Sequence, residues 1–277
     1  VTGVQTCALP ILIGEKMKFK LQLASIFFAL SFCTTSIEAQ EYTWRSEFFW
    51  CKLNPGKTVQ DVVAENKKYG EFSKSQGTQY MQAVMVPMHA GDQSDYDYII
   101  WGSWPDGESM YKEWGSYAND YEDWTGNQDE DSSASSAGKC FHQVAMFNHA
   151  VAHNRIPWEE RDQRTPIQFS NCKFTKQGNL EKLVKQYARE QKALDAFGFK
   201  GWGSHVFVPY LGFTDEFDAD YVAMNHWYSF DARAEMAQNY QSFVEANPNF
   251  EKEQAKISSC SGGNSFILES IFNNFTQ

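Results

Sequence analysis

Apolar positions along the chain change period several times, and the changes come twice in the same order. A short apolar run, Phe48–Leu53, leads through a turn at Gly56 into a segment of helical period, Val59–Ser75. Two runs of strand character follow, Tyr80–Met88 and Tyr98–Trp104, then a second amphipathic stretch, Gly107–Tyr117, and a closing strand-like run, Phe141–Phe147. The series then restarts with Ile167–Phe174, a turn at Gly178, Leu180–Phe197, Ser204–Leu211, Tyr221–Tyr228, Asp231–Glu245 and Ser265–Ile271. Within it Leu180, Leu183, Val184, Tyr187, Ala188 and Leu194 recur at steps of three and four, which puts them on one helix face. The stretches GDQSDYD and GFTDEFDAD between paired strands are acidic and rich in turn formers. Each unit predicts the order β-α-β-β-α-β.

Individual residues repeat along with the pattern. Cys51-Lys52 matches Cys172-Lys173, Val86-Pro87 matches Val208-Pro209, and Asp97-Tyr98 with Trp104 matches Asp220-Tyr221 with Trp227. All share a displacement of about 120 residues, the signature of a tandem duplication. The predicted domains are 40–155 and 156–277. The order β-α-β-β-α-β is the split βαβ of ferredoxin-like folds, an antiparallel sheet with both helices on one face. There the first and last strands are antiparallel neighbours, so the end of one meets the start of the other. Cys51 then lies beside Cys140 and Cys172 beside Cys260, and the nearly equal spacing within the two pairs agrees with one disulfide in each copy.

Strands ending in Trp and running through a short turn into an amphipathic helix, YDYIIWGSWPDGESMYKEW and ADYVAMNHWYSFDARAEM, resemble the antibiotic-biosynthesis-monooxygenase-like, or dimeric α+β barrel, superfamily. That resemblance implies two ferredoxin-like domains packed sheet to sheet. With both copies in one chain, the barrel would be an intramolecular pseudo-dimer and the protein a monomer. The functions of the superfamily are diverse, so no single activity follows from it.

The ends and the charge add an address. The first eleven residues, VTGVQTCALPI, resemble translated sequencing-adapter read-through, which makes 1–16 a non-native extension. From Met17 the chain reads as a secretory signal, 17–39: Lys18 and Lys20, an apolar stretch Leu21–Phe32, then small residues up to Ala39. Cys33 raises lipidation as an alternative, although Phe32 before it is large for that processing. The expected location is periplasmic or secreted, where disulfides persist. Net charge is −11, which disfavours nucleic acid, and a mean hydropathy of −0.53 disfavours a polytopic membrane protein.

Comparing the copies nominates chemistry. Trp50, Ala83 and Ser103 in the first correspond to Asn171, His205 and His226 in the second, a change toward amide and imidazole. Imidazoles can serve as acid, base or ligand near neutral pH. Asn171, His205, His226 and Trp227 are therefore the candidate catalytic residues. Tyr98, Trp104 and Tyr221 are the candidate ligand walls, six-residue spacing placing Tyr98 with Trp104 on one strand face. The haem-degrading relatives implied by the resemblance use a helical His, and no His falls on a second-copy helix. His149 and His153 lie in a stretch read as a solvated linker rather than a metal site. The acidic runs around Asp120–Asp131 and Asp215–Asp220 match no calcium loop and read as solvated surface. No Gly-rich phosphate loop, nucleophile elbow, CxxC or HExxH is present. No cofactor is specified. The expectation is a protein that binds a small apolar or aromatic ligand between sheet and helices, with a monooxygenase-like enzyme and a ligand-free interaction module as rivals.

Overall fold

The computed structural model describes residues 44–90, 95–125, 136–157 and 160–275. The proposed extension, signal segment and Cys33 lie outside these residues, as do the first residues of the proposed mature chain. The elements run β1 (Trp44–Leu53), α1 (Val59–Ser75), β2 (Met81–His89), β3 (Tyr98–Trp104), α2 (Gly107–Thr125) and β4 (Gly138–Asn154). They repeat as β5 (Arg164–Phe174), α3 (Leu180–Phe197), β6 (Trp202–Leu211), β7 (Tyr221–Trp227), α4 (Phe230–Ala246), α5 (Phe250–Ile257), β8 (Ser258–Cys260) and β9 (Asn264–Asn273).

Local chemistry sets the helix starts. Thr58 and Asp61 form a capping box at α1, while Asn179 and Ser229 accept backbone N–H groups at the starts of α3 and α4. Asp106 does the same ahead of α2, its Oδ1 2.7 Å from the amide of Ser109.

All pairings are antiparallel, and the strands close on themselves. The first copy gives β4-β1-β3-β2 and the second gives β9-β5-β7-β6, the ferredoxin-like order twice. The copies join edge to edge at two seams, β4 with β6 and β2 with β9, so the eight long strands form a ring. The short β8 pairs with β5 alongside β9 and carries Cys260. The fold is thus a pseudo-dimeric α+β barrel within one chain. Both disulfides form as expected between directly opposed residues, Cys51 with Cys140 and Cys172 with Cys260. They close segments of 89 and 88 residues. Each contributes about 4 to 5 kcal/mol on the chain-entropy account.

The barrel has two kinds of interior. Phe48, Trp101, Met146, Ile167, Phe207, Met224 and Phe266 fill its lumen from both copies. The outer faces pack against helices: Val62, Val63, Val84 and Ile100 in the first copy, Leu183, Tyr187, Val206 and Phe243 in the second. Strand alternation separates them, so Ser46, Phe48 and Trp50 point inward while Arg45, Glu47 and Cys51 face the helices.

One expectation is corrected. The segment read as a solvated linker around His149 and His153 is the continuation of β4, with His149 opposite Val206 and His153 opposite Gly203. It forms a seam between copies, which is why it carries buried Val151 and Ala152 between polar residues. The helix α5 was also not foreseen.

Candidate functional site

The larger cavity lies between the outer face of the first-copy sheet and helices α1 and α2, with a volume of about 810 Å³. Its floor comes from Glu47 on β1, Tyr80 and Gln82 at the start of β2, Tyr98 and Trp104 on β3, and Gln143 on β4. Its walls come from Glu65 and Tyr69 on α1, and from Glu113, Trp114, Tyr117 and Tyr121 on α2. The α2 residues recur at three- and four-residue steps, which aims them together at the sheet.

Two buried carboxyl groups lie in this wall and floor. Glu47 is only 4% exposed and Glu113 only 1%. The Tyr80 hydroxyl donates to Glu47 Oε1 at 2.6 Å and Gln143 Nε2 donates to Oε2 at 3.1 Å, with the Trp114 indole a further donor. The Tyr69 hydroxyl donates to Glu113 Oε1 at 2.6 Å, and Ser73 Oγ to Oε2 at 3.2 Å. Burial pushes the Glu47 carboxyl up to about 7, helped by the charge of Glu113, while its three hydrogen bonds act in the opposite direction. Burial and the adjoining carboxylates raise Tyr69 and Tyr80 well above the usual phenol range, so both stay protonated donors. Tyr80 stacks on Trp104 with ring centroids 4.6 Å apart, and Trp114 meets Trp104 edge-on at 6.0 Å. Gly102 makes this possible, since a Cβ there would stand 2.1 Å from the Tyr80 hydroxyl. Trp104 Nε1 and Gln82 Oε1 are buried and have no hydrogen-bond partner among the described residues.

The second copy holds the equivalent cavity, at about 410 Å³. Strand register fixes the equivalence: Glu47 opposes Gly102 and Cys51 opposes Tyr98, as Gln168 opposes Asn225 and Cys172 opposes Tyr221. Gln168 thus replaces Glu47. On the helices Glu190 replaces Tyr69, Met236 replaces Glu113, Ala237 replaces Trp114 and Arg233 replaces Met110. The Arg233 guanidinium lies over the Trp227 ring, 4.4 Å from its centroid.

The residues nominated from sequence are distributed over several places. Tyr98 and Trp104 line the larger cavity. Tyr221 is fully buried in the second-copy core, its hydroxyl donating to Ser258 at 2.8 Å. Trp227 lines the smaller cavity and its indole N–H points to Met236 Sδ at 3.2 Å. His205 and His226 come together, rings 5.4 Å apart, with His205 on the lumen side of β6. His205 Nδ1 donates to Asn148 Oδ1 at 2.7 Å, and Asn148 Nδ2 donates to Ser46 Oγ at 3.0 Å. The chain continues through Ser103 to the Arg45 carbonyl. Burial drives His205 down to about 4 and holds His226 well below the ordinary imidazole range, so both imidazoles are neutral at pH 7. Asn171 is exposed opposite Val222, four positions along the strand pair from His226 opposite Ile167, and does not join them.

Glu47, Glu113, Tyr69, Tyr80 and Trp114 were not singled out from sequence. The signal was present in the duplication, because Glu47 against Gln168 and Glu113 against Met236 are losses of a carboxylate between copies.

The sequence matches no protein-family model and no curated protein. Among solved structures the chain is similar to an anthrone oxidase-like protein at 12% identity and a TM-score of 0.47, covering 85% of this chain and 96% of that one. It is also similar to a chlorite dismutase variant from Candidatus Nitrospira defluvii at 7% identity and a TM-score of 0.44, covering 82% and 92%. The fold class rests on the strand pairing itself. No helix among the described residues is long and apolar enough to cross a membrane.

Proposed function

We propose that this is an exported small-molecule-binding protein, monomeric as a pseudo-dimer, with its ligand seat in the first-copy cavity between sheet and helices. The observation that carries this reading is the union of size and lining: about 810 Å³, walled by aromatic rings, with two buried carboxyl groups within the wall and floor. Ligand pockets combine an apolar body with a few convergent polar groups in this way. Two disulfides accord with an oxidising compartment, the destination of a chain with a leader at 17–39. The proposed domains remain 40–155 and 156–277; His205 is assigned to supporting the lumen, and His226 beside it also lines the smaller cavity.

The test is direct binding of naphthyl compounds of each charge, followed by calorimetry on the full chain made in an oxidising compartment. Saturable binding is expected, weakened about tenfold or more by Trp114→Ala, a loss typical of an aromatic contact at a binding centre. Tyr240→Ala in the smaller cavity is expected to leave it unchanged. Binding that follows Tyr240 instead would move the seat to the second copy.

A second reading is favoured by one observation. A carboxyl held up to about 7 beside a Tyr hydroxyl suits a general base, so Glu47 would take a proton from an acidic substrate O–H or C–H. Turnover rising with pH through about 7, and abolished in Glu47→Gln, would identify an enzyme.

A further inference from the structure

The first-copy cavity carries three carboxylates, Glu47, Glu65 and Glu113, and no Lys, Arg or His among its described lining residues. Buried carboxylates usually have a cationic partner, because an unpaired buried charge is costly. Arg45 lies on the same sheet face, but its guanidinium covers the Phe147 ring at 4.2 Å and does not line the cavity. Seven tyrosine and tryptophan side chains, Tyr69, Tyr80, Tyr98, Trp104, Trp114, Tyr117 and Tyr121, line the same cavity, and the faces of such rings attract cations. Two further atoms await partners: the buried Gln82 Oε1 is an acceptor and the buried Trp104 Nε1 a donor, both on residues at least nine-tenths buried.

The second copy supplies an internal comparison. There Gln168 and Met236 stand in place of Glu47 and Glu113, Glu190 is the one carboxylate of the described lining, and Arg233 lays its own cation over the Trp equivalent to Trp104. In the first copy Met110 stands at that helix position and brings no charge. The second cavity holds one carboxylate with a built-in cation, whereas the first holds three carboxylates and no cation among its described lining residues.

We propose that the first-copy cavity selects an organic cation, a protonated amine on a planar aromatic body. The ammonium sits against Glu47 and Glu113, Gln82 Oε1 accepts one of its N–H groups, and the ring system lies among Trp114, Tyr117 and Tyr121. This deepens the binding reading above and rests on it.

The experiment uses three probes of one shape: 2-(1-naphthyl)ethylamine, the neutral 2-(1-naphthyl)ethanol and the anionic 3-(1-naphthyl)propanoate. Calorimetric titrations of the full chain are expected to show the amine binding at least tenfold more tightly than the alcohol, with the acid weakest. Glu113→Gln and, separately, Glu47→Gln are expected to remove most of the preference while keeping the affinity for the alcohol, which doubles as the check that each variant is folded. If one variant fails to fold, the other and the wild-type preference decide. An alcohol bound as tightly as the amine overturns the charge selection and leaves the binding reading standing. Saturation by none of the three overturns both.

Discussion

Glu47 shows how much one side chain can carry. Its carboxyl titrates at about 7 in the folded chain against 4.5 ordinarily. Between those values the folded protein holds a proton that the unfolded chain has released, so stability falls as pH rises from 4.5 to 7 and is level above. The full penalty is on the order of 3 kcal/mol, at 1.36 kcal/mol per unit. Half-buried Glu190, also raised to about 7, adds a slope of the same sign. Neutral His205 and His226 act oppositely, withdrawing stability as pH falls below 6.5. The difference between wild type and Glu47→Gln isolates the one group. Denaturant unfolding is expected to find the variant more stable at pH 8 by a few kcal/mol, and the gap to shrink toward zero near pH 4. A gap independent of pH would contradict the raised carboxyl. None of this was legible in SEFFW, where alternation puts Glu47 and Phe48 on opposite faces without saying which face meets helices.

At the scale of elements, the repeated order, both crossover patterns and the Cys pairing were readable because period, turn residues and duplication agree. The long β4 was not. His149, Ala150, Val151, Ala152 and His153 mix polar and small residues without clean alternation, because a register shift near Ala150 interrupts the seam. Such a strand is specified by its partner β6 rather than by its own sequence. The pocket wall depends equally on an unremarkable position, Gly102 on β3. Gly102→Ala would drive a methyl into the Tyr80 hydroxyl. It is expected to cost about 1 to 3 kcal/mol by overpacking. Urea midpoints would measure this, and a cost near zero would mean that Tyr80 moves freely.

For the whole molecule the ring matters more than either copy. Phe48 meets Phe169 at 5.9 Å and Phe207 at 5.2 Å, so the lumen core belongs to both halves at once. Calorimetry of the oxidised chain is therefore expected to give one cooperative transition rather than two. Two resolved transitions would show halves that fold separately. The site differs in this respect: it sits on the first copy's outer face, with Leu211 and Gly212 of the second copy at its rim, so its asymmetry leaves the lumen intact. Strand order was legible from topology, whereas the choice of working cavity was hidden in pairs such as Glu113 and Met236, which face a groove that no single-sequence periodicity reveals.

Closure of the ring also sets an order of events during synthesis. When the first copy has emerged, its sheet has β2 and β4 as bare edges, each able to recruit a strand from another chain. β6 is made soon enough to cover β4, but β2 waits for β9, the last strand of the ring. Until then the nascent chain is an unclosed ring lacking its eighth long strand, and premature arrest of translation before Asn264 would leave the β2 flank open to aggregation.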